Sequence, residues 1–440
     1  MRVKAREFIP AILTLALIVS IVVVLMSIIN QPDNPAHSMP LEPVDNSQNN
    51  NESDNKLPDI VPYYTSYPKQ PAASDMFIYT QNIKGHGDIH IKNLHPTAHS
   101  IYAILETNSK FGDIACDSQS VAVAKISYAG AVEKVFVLPS RQELEYSASQ
   151  ITPDGLAIIC KNKENLLFFV ADYQLNGVNK VTLPLSDKSR IFINNSGDCV
   201  IFAQGAVNSV YMFDDNQNLK SGFLPSGEII DVYDCYYHLL VFINTSGGYA
   251  VVKLAPNLKI IETTYVQNCS IAAVTPYNDQ GQAKLIVAEK SGDFMRLWKI
   301  DMNFDRQSAI HTQLSGHTEN LTLLPHNNGV MAIFTGKHKA MYIFNNELEA
   351  SLVGQSCLQN ISQIHDFILR DNGCFLLAQT SAGLKAINFL FDNAYSEINL
   401  SSENAQKALF ILNPNGTLSV FFSLIDLNGH HYTEIVCAKA

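Results

Sequence analysis

The chain begins with its longest uninterrupted apolar segment and continues with short apolar runs separated by polar turns. Phe8–Ile29 contains no charged side chain, and a helix of these 22 residues is long enough to cross the roughly 30 Å hydrocarbon layer of a membrane. A buried core helix is the alternative, but such helices are rarely apolar on all sides over this length. The pattern therefore predicts one transmembrane helix.

The charges around this segment predict its orientation. Arg2, Lys4 and Arg6 precede the span, whereas residues 31–55 contain no Lys or Arg. This asymmetry predicts that residues 1–7 are a short cytoplasmic tail. No small-x-small cleavage site follows the span, so it is predicted to be an uncleaved signal anchor. We therefore expect a single-pass membrane protein whose main domain is extracytoplasmic.

Residues 30–75 contrast with the span because they are rich in Pro, Asn and Ser. Such a segment cannot bury enough apolar surface to offset the entropy lost on ordering it. We predict a disordered linker, in which Tyr63, Tyr64 and Tyr67 are close enough to the following domain to contact its surface.

Residues 76–440 repeat one pattern: a polar turn, an apolar strand, a second turn and another apolar strand. The turns recur about every 42–48 residues, with one step of 84 that spans a diverged turn near residue 237. The turns lie at Thr152–Gly155, Asn194–Asp198, Asn278–Gly281, His326–Gly329, Arg370–Gly373 and Asn413–Gly416, with a further diverged member assigned to Asp117–Ser120. This period, with three or four short strands in each repeat, is typical of a β-propeller.

Counting the turns gives eight repeats, and seven is the alternative count. We expect the strands around Met76–Tyr79 and Asp88–Leu94 to complete the blade that the C-terminal strands begin, which would leave the ring without a free edge. A β-sandwich is another all-β possibility, but sandwiches do not predict equivalent turns at one period. The sequence predicts an all-β propeller of about eight four-stranded blades.

The Pro-Asp-Gly and Asn-Gly turns between the first two strands of a repeat resemble those of the TolB-like and WD40-like propeller families, from about residue 110 to the end. The resemblance implies a fold and no particular activity. Gly316-His317 is the one Gly-His pair at a suitable place, and Leu297-Trp298-Lys299 replaces the usual Trp-Asp. The resemblance therefore does not imply the hydrogen-bonding tetrad of WD40 repeats.

Charge and motifs narrow the possible functions. A net charge of −11 and the lack of a basic stripe after residue 6 argue against a nucleic-acid partner. No Gly-x-Ser-x-Gly elbow, phosphate loop or His-Glu-x-x-His motif occurs, so we predict no catalytic residue. The eight cysteines are spread over the repeats and are expected to be mostly buried thiols.

The first strand of each propeller blade lines the central channel, so polar residues in or beside these strands are candidates for ligand binding. They are Arg190, Asp231, Glu319, His365 and Asp366. Solvated strand ends are the alternative explanation for these residues.

His86, Asp88 and His90 alternate along a predicted strand and would face one way, which makes them a candidate metal-binding set. The exposed polar face of an outer strand is the alternative. Because no fourth ligand is evident, we predict no metal and no other cofactor.

The sequence is compatible with two classes of function. The first is a non-enzymatic binding or assembly module, held at the membrane by Phe8–Ile29, with a protein or a cell-envelope ligand as partner. The second is a propeller hydrolase or lyase acting on a glycan-like substrate, which would require carboxylates or histidines that converge at one mouth of the channel.

Overall fold

In the computed structural model, every strand of the described residues belongs to one of eight antiparallel sheets, which are the blades of a propeller. All of these strands lie in one compact unit, Lys56–Ala440. The structure describes residues 63–67, 77–84, 86–110, 116, 118–213, 219–235, 237–279, 282–292, 294–305, 310–315, 320–326, 329–335, 339–354, 358–370, 373–391, 395–413 and 417–439.

The strands are numbered along the chain, and the blades follow the same order. The two N-terminal strands are β1 (Tyr63–Tyr67) and β2 (Phe77–Lys84). Blade 1 contains β3 (Ile89–Pro96), β4 (Ser100–Thr107), β5 (Ser120–Ser127) and β6 (Val132–Val137), and blade 2 contains β7 (Glu145–Thr152), β8 (Gly155–Lys161), β9 (Asn165–Asp172) and β10 (Val178–Pro184). Blade 3 contains β11 (Lys188–Ile193), β12 (Cys199–Gln204), β13 (Asn208–Phe213) and β14 (Leu219–Leu224), and blade 4 contains β15 (Glu228–Asp234), β16 (Leu239–Thr245), β17 (Gly248–Leu254) and β18 (Ile260–Gln267).

The remaining strands form the second half of the ring. Blade 5 contains β19 (Ser270–Asp279), β20 (Gln282–Ser291), β21 (Phe294–Asp301) and β22 (Ile310–Ser315), and blade 6 contains β23 (Leu321–His326), β24 (Gly329–Thr335), β25 (Lys339–Phe344) and β26 (Ala350–Val353). Blade 7 contains β27 (Ile361–Arg370), β28 (Gly373–Thr380), β29 (Gly383–Leu390) and β30 (Tyr395–Ser401). Blade 8 contains β31 (Ala408–Leu412), β32 (Thr417–Ile425) and β33 (His431–Lys439), followed by β2 and β1.

Blade 8 closes the ring by joining both ends of the described chain. Its strand order is β31-β32-β33-β2-β1, and Thr80 of β2 lies opposite Val436 of β33. The strand expected around Met76–Tyr79 therefore completes the last blade, as predicted. Strand β1 falls within the range 30–75 that we assigned to the linker, and it pairs with β2 as a fifth strand.

The prediction for Asp88–Leu94 is wrong, because this segment forms β3, the innermost strand of blade 1. Ile89 and Ile91 are fully buried against Phe421 and Ile435 of blade 8. The outermost strands of the blades, such as β18, are instead largely exposed. The chain therefore leaves blade 8 after β2 and crosses directly to the channel.

The count of eight blades is confirmed, and the alternative of seven is wrong. In blades 2 to 8, the first two strands meet at the predicted turns, but in blade 1 they meet at residues 97–99. Asp117–Ser120 instead lies between the second and third strands of that blade. The true turn reads Thr-Ala-His and is closed by Thr97, whose N–H and hydroxyl both donate to the Ser100 carbonyl at 2.9 Å. It contains none of the Gly, Asn or Asp residues that mark the other turns.

The regular glycines have a steric cause. A Cβ atom at Gly155, Gly329 or Gly373 would lie 2.0, 1.7 or 2.1 Å from a backbone carbonyl oxygen of the third strand in the same blade. No side chain fits at these distances, so the first residue of the second strand is glycine in three blades.

The core is divided among the contacts between blades. Eight apolar clusters are present in the described residues, and each joins two neighbouring blades around the ring. The second and third strands supply most of these side chains, and in β8 and β28 nearly every residue is buried. The fourth strands, such as β18, are largely exposed. Burial on both faces of the middle strands explains their continuous apolar sequences.

Two of the predicted buried thiols, Cys160 and Cys235, are found buried and free, and a third, Cys199, is free and half-buried. Burial raises the pKa of Cys199 to about 12 and that of Cys235 to about 11. These thiols are therefore protonated and unreactive at neutral pH.

The predicted cytoplasmic tail, the span Phe8–Ile29 and most of the predicted linker lie outside the described residues. Within the part of the chain that the structure describes, no helix has the length and apolar character needed to cross a membrane.

Candidate functional site

The mouth of the channel is built from the innermost strands of the blades. Each blade is an antiparallel meander, so all eight innermost strands run in the same direction. We call the face at which these strands begin the front face and the face at which they end the back face. The cavity described below lies at the front face.

Bulges interrupt five of the innermost strands: β3, β7, β15, β19 and β27. An extra residue locally unpairs the strand and re-aims the side chains around it. Lys92, Ser147 and His365 occupy these positions in β3, β7 and β27. In these three strands, the bulges therefore place polar side chains where a regular strand would continue its pairing.

Blades 7, 8 and 1 are joined by a carboxylate and a lysine. Asp366 accepts the backbone N–H groups of Phe410 in blade 8, at 3.0 Å, and of Phe367, at 2.9 Å. Burial raises the pKa of Asp366, and these N–H groups and Lys407 act against that rise. The Lys407 ammonium donates to the backbone carbonyl of Lys92 in blade 1, and burial lowers its pKa.

Blades 1 and 2 meet around Glu106, a buried carboxylate in the otherwise apolar strand β4. Its Oε2 lies 2.5 Å from the ammonium of Lys92, and its Oε1 accepts the N–H of Tyr146 in blade 2 at 2.6 Å. Deeper in the channel wall, His95 Nε2 lies 2.7 Å from the hydroxyl of Ser149. Burial lowers the pKa of His95 to about 4, so this imidazole is neutral at neutral pH.

Blades 3, 4 and 5 are joined through Asp231. The guanidinium of Arg190 approaches its carboxylate at 3.9 Å, and the hydroxyl of Tyr233 lies 2.5 Å from the other oxygen. The Tyr233 oxygen also lies 2.8 Å from the carbonyl of Val274 in blade 5. Burial raises the pKa of Asp231, while Tyr233, the N–H of Val232 and Arg190 act against that rise.

A hydrogen bond of 2.7 Å between the hydroxyls of Ser147 and Ser189 joins blades 2 and 3, so that a series of polar contacts links each of these blades to the next. We call this series the polar arc. It runs from blade 7 through blades 8, 1, 2 and 3 to blade 4 and consists of Asp366, Lys407, Lys92, Glu106, Tyr146, Ser147, Ser189, Arg190, Asp231 and Tyr233. Its three cations and three carboxylates balance in charge.

A cavity of about 290 Å³ opens at the front face between blades 2, 3 and 4. Its charged lining consists of Glu145, Lys161, Asp187, Lys188, Arg190 and Glu228. Lys161 pairs with Glu145 at 3.4 Å, and Lys188 pairs with Glu228 at 3.0 Å. Arg190 differs from these pairs, because among the described residues its polar contact is the long approach to Asp231. With 46% of the side chain exposed, the guanidinium can donate to a ligand.

The predicted ligand-binding residues divide into two groups. Arg190 and Asp231 lie together at the cavity between blades 2 and 4. His365 and Asp366 are adjacent on β27 in blade 7; the buried Nε2 of His365 has no hydrogen-bond partner among the described residues, and burial lowers its pKa. Glu319 lies outside the described residues.

Three charged residues of the polar arc were not predicted from the sequence: Lys92, Glu106 and Lys407. Glu106 carries a signal, because it ends the apolar run Ile101-Tyr102-Ala103-Ile104-Leu105, where an ionised carboxylate requires a partner. Lys92 and Lys407 carry no such signal in the sequence, because a bulge positions Lys92 and a loop positions Lys407.

The candidate metal-binding set also changes in the structure. Asp88 and His90 lie beside His431 of blade 8, and the rings of the two histidines are 4.2 Å apart. His86 is exposed and is not a member of this group. The outer-strand alternative is wrong, because β3 is the innermost strand of its blade.

The described chain is an eight-bladed β-propeller. No family model matches it, and no curated protein matches it by sequence. It is similar to the solved propeller of Dos1, with a TM-score of 0.53 and 8% identity over 81% of this chain and 94% of that one. It is also similar to a prolyl endopeptidase, with a TM-score of 0.51 and 8% identity over 78% of this chain and 55% of that one.

The chain therefore spans about half the length of that endopeptidase. Identities this low show a shared propeller fold alone. The more specific resemblance to TolB-like and WD40-like propellers stays a prediction.

Proposed function

We propose that this propeller is a non-enzymatic binding or assembly module and that the cavity between blades 2, 3 and 4 is its ligand site. The observation that carries the proposal is Arg190, whose guanidinium lies in the cavity wall without a close carboxylate partner among the described residues. The other two cations of the cavity are each paired with a carboxylate within 3.4 Å.

The contacts of the other two carboxylates in the polar arc, Glu106 and Asp366, support a binding function for the protein rather than a catalytic one. Glu106 is held by Lys92 and by the N–H of Tyr146, and Asp366 is held by two backbone N–H groups. A general acid or base must exchange its proton with the substrate. Carboxylates that are held in this way are better suited to fixing neighbouring strands, so a hydrolase or lyase is less well supported.

The cavity also indicates the chemistry of its ligand. A volume of about 290 Å³ holds one side chain or a small terminal group rather than a folded segment. A planar guanidinium binds a carboxylate through two parallel hydrogen bonds. We infer a ligand with an exposed carboxylate, presented by a protein or by an envelope polymer.

The test is a titration of the full chain in detergent with short peptides that carry a free C-terminal carboxylate, measured by calorimetry. The Arg190→Ala variant is expected to weaken binding by about 10-fold or more, because a hydrogen bond to a charged group contributes about 1.5–3 kcal/mol. Lys163→Ala, which removes an exposed cation outside the cavity, is the matched control and should bind as the wild type does. Equal affinities of Arg190→Ala and wild type would contradict the proposal.

We further propose that Phe8–Ile29 anchors the propeller to the membrane with the domain outside the cytoplasm. Two arginines at the centre of the segment, Leu17→Arg and Val22→Arg, would each oppose insertion by about 2.5–3.5 kcal/mol. The double variant should leave the membrane fraction, whereas Leu41→Arg in the predicted linker should not. A double variant that still resists extraction by salt and alkali would contradict the anchor.

A further inference from the structure

Three potential metal ligands meet where the ring closes. Asp88 precedes β3, His90 lies within β3, and His431 is the first residue of β33. One carboxylate oxygen and one nitrogen from each imidazole lie within 4.8 Å of one another. The group therefore combines residues from blade 1 and blade 8. Asp88 and His431 are 343 positions apart in the sequence.

Asp88 is fixed by its surroundings. Its Oδ1 accepts the backbone N–H of His431 at 2.8 Å, which ties the carboxylate to blade 8. Its own carbonyl accepts the hydroxyls of Thr107 at 2.8 Å and Ser109 at 3.2 Å. The carboxylate is thus held beside the two rings before any ligand binds.

His431 supplies an independent observation. Its Nδ1 atom is buried and has no hydrogen-bond partner among the described residues. A buried polar atom without a partner is rare and requires an explanation, such as an ion. Its ring lies against that of His90, a second member of the cluster.

We propose that Asp88, His90 and His431 bind a divalent transition-metal ion, with Zn²⁺ as the best match. Imidazole nitrogen and carboxylate oxygen suit Zn²⁺ rather than Ca²⁺ or Mg²⁺, which take oxygen ligands. Bonds of about 2.0–2.1 Å in a tetrahedron place ligand atoms roughly 3.4 Å apart. The ligand atoms lie within 4.8 Å of one another, and small rotations of the two imidazole rings would bring them to this spacing. The fourth position is left for water.

The bound ion would join two blades. His431 belongs to the sheet that closes the ring, and His90 belongs to the first blade, so the metal would stabilise closure at the point where both chain ends meet. The proposal does not depend on ligand binding at Arg190.

The test is a calorimetric titration of the chelator-treated full chain with Zn²⁺. We expect one ion per chain, and we expect His431→Gln and His90→Gln to weaken binding by at least about 100-fold, beyond the 10–100-fold typical of an outer partner. His86→Gln and His430→Gln remove exposed histidines beside the cluster and should bind as the wild type does. Wild-type affinity in His431→Gln, or an equal loss in His86→Gln, would overturn the site.

A second measurement needs no variant. Co²⁺ added to the wild-type chain should shift the NMR lines of two imidazoles, and Zn²⁺ at about 100 times its Kd should raise Tm by a few degrees. Shifted lines from one histidine or from none would overturn the proposal even if the variants fail to fold.

Discussion

The two sides of the channel wall are built from different interactions. In the polar arc, charged and hydroxyl groups link blade 7 to blade 4 through blades 8, 1, 2 and 3. Between blades 5 and 6, the innermost strands meet through Tyr277, Leu321 and Leu323, backed by Phe334. We call this second region the apolar seam. Neighbouring blades of the ring can therefore be joined either by polar contacts or by apolar ones.

The difference indicates where the fold is stabilised and where a ligand can bind. Each buried apolar side chain contributes about 1.5–3 kcal/mol. A buried ion pair contributes little net stability, because the loss of hydration offsets most of the attraction. Stability alone therefore does not explain Arg190, which lies in the cavity wall without a close carboxylate partner among the described residues, and this supports a binding role for the cavity.

The largest effect is expected in the apolar seam. Phe334 is 1% exposed, and Phe334→Ala should lower the free energy of unfolding by about 3–5 kcal/mol. Binding at Arg190 should be unchanged at temperatures where the variant is folded. Leu352→Ala, at a side chain that is 43% exposed in the same blade, is the control and should change stability by less than about 0.5 kcal/mol. Urea unfolding measures both, and equal losses would remove the distinction between the two regions.

His95, which lies beside the polar arc, should make the stability of the propeller sensitive to acid. Its pKa in the folded state is about 4, below its ordinary value of 6.5, so the unfolded chain takes up a proton first as pH falls. The stability that neutral His95 contributes is complete above pH 6.5 and is lost progressively down to pH 4. Between pH 7 and pH 5 the loss should be about 2 kcal/mol, at about 1.36 kcal/mol per unit.

His95→Gln should reduce the decrease in stability between pH 7 and pH 5. His99→Gln, at an exposed histidine in the following turn, should leave it unchanged, because that side chain is in water in both states. Denaturant unfolding at the two pH values measures the difference. An unchanged slope in His95→Gln would contradict the buried, neutral imidazole.

A smaller effect is expected at the ion pair between blades 1 and 2. Glu106→Gln keeps an oxygen for the N–H of Tyr146 but leaves Lys92 without its counter-charge. Because Lys92 is 31% exposed, the loss of stability should be about 1–2 kcal/mol. Adding Lys92→Met should recover most of it, since the pair itself contributes little. A double variant no more stable than Glu106→Gln would show that the pair stabilises the ring outright.

The smallest effect is expected at the Ser147–Ser189 contact between blades 2 and 3. Ser147→Ala should cost about 0.5–1.5 kcal/mol, the usual contribution of one hydrogen bond. Combining it with Ser189→Ala should add little, because the bond is already lost. Fully additive losses in a double-mutant cycle would show that the two hydroxyls do not interact.

The sequence predicted the blades because steric constraints recur with the fold. Gly155, Gly329 and Gly373 face the same carbonyl contact in three blades, so their spacing reports the repeat. The first blade was misplaced because its turn at Thr97 is closed by a threonine hydroxyl and has no glycine. Strand β3 was assigned to the wrong blade because alternation along a strand gives its faces and not its neighbours.

The site was predictable only in part. Arg190 and Asp231 lie on successive innermost strands, so the repeat brings them together. Lys407 and His431 reach the first blade across the ring closure, from more than 300 residues away in sequence. A periodic pattern fixes equivalent positions within blades, but it contains no information on which side chains cross that closure.

Site-specific photo-crosslinking in cells would show whether ligands bind at the front-face cavity. A photoreactive residue would replace Lys188 or Glu228 at the front face and Asp154 or Asn195 in back-face turns, all of them exposed. We expect a discrete adduct from the two front-face positions, which is lost when Arg190→Ala is added, and no adduct from the back face. Adducts from the back face alone, or front-face adducts that persist in Arg190→Ala, would contradict this expectation.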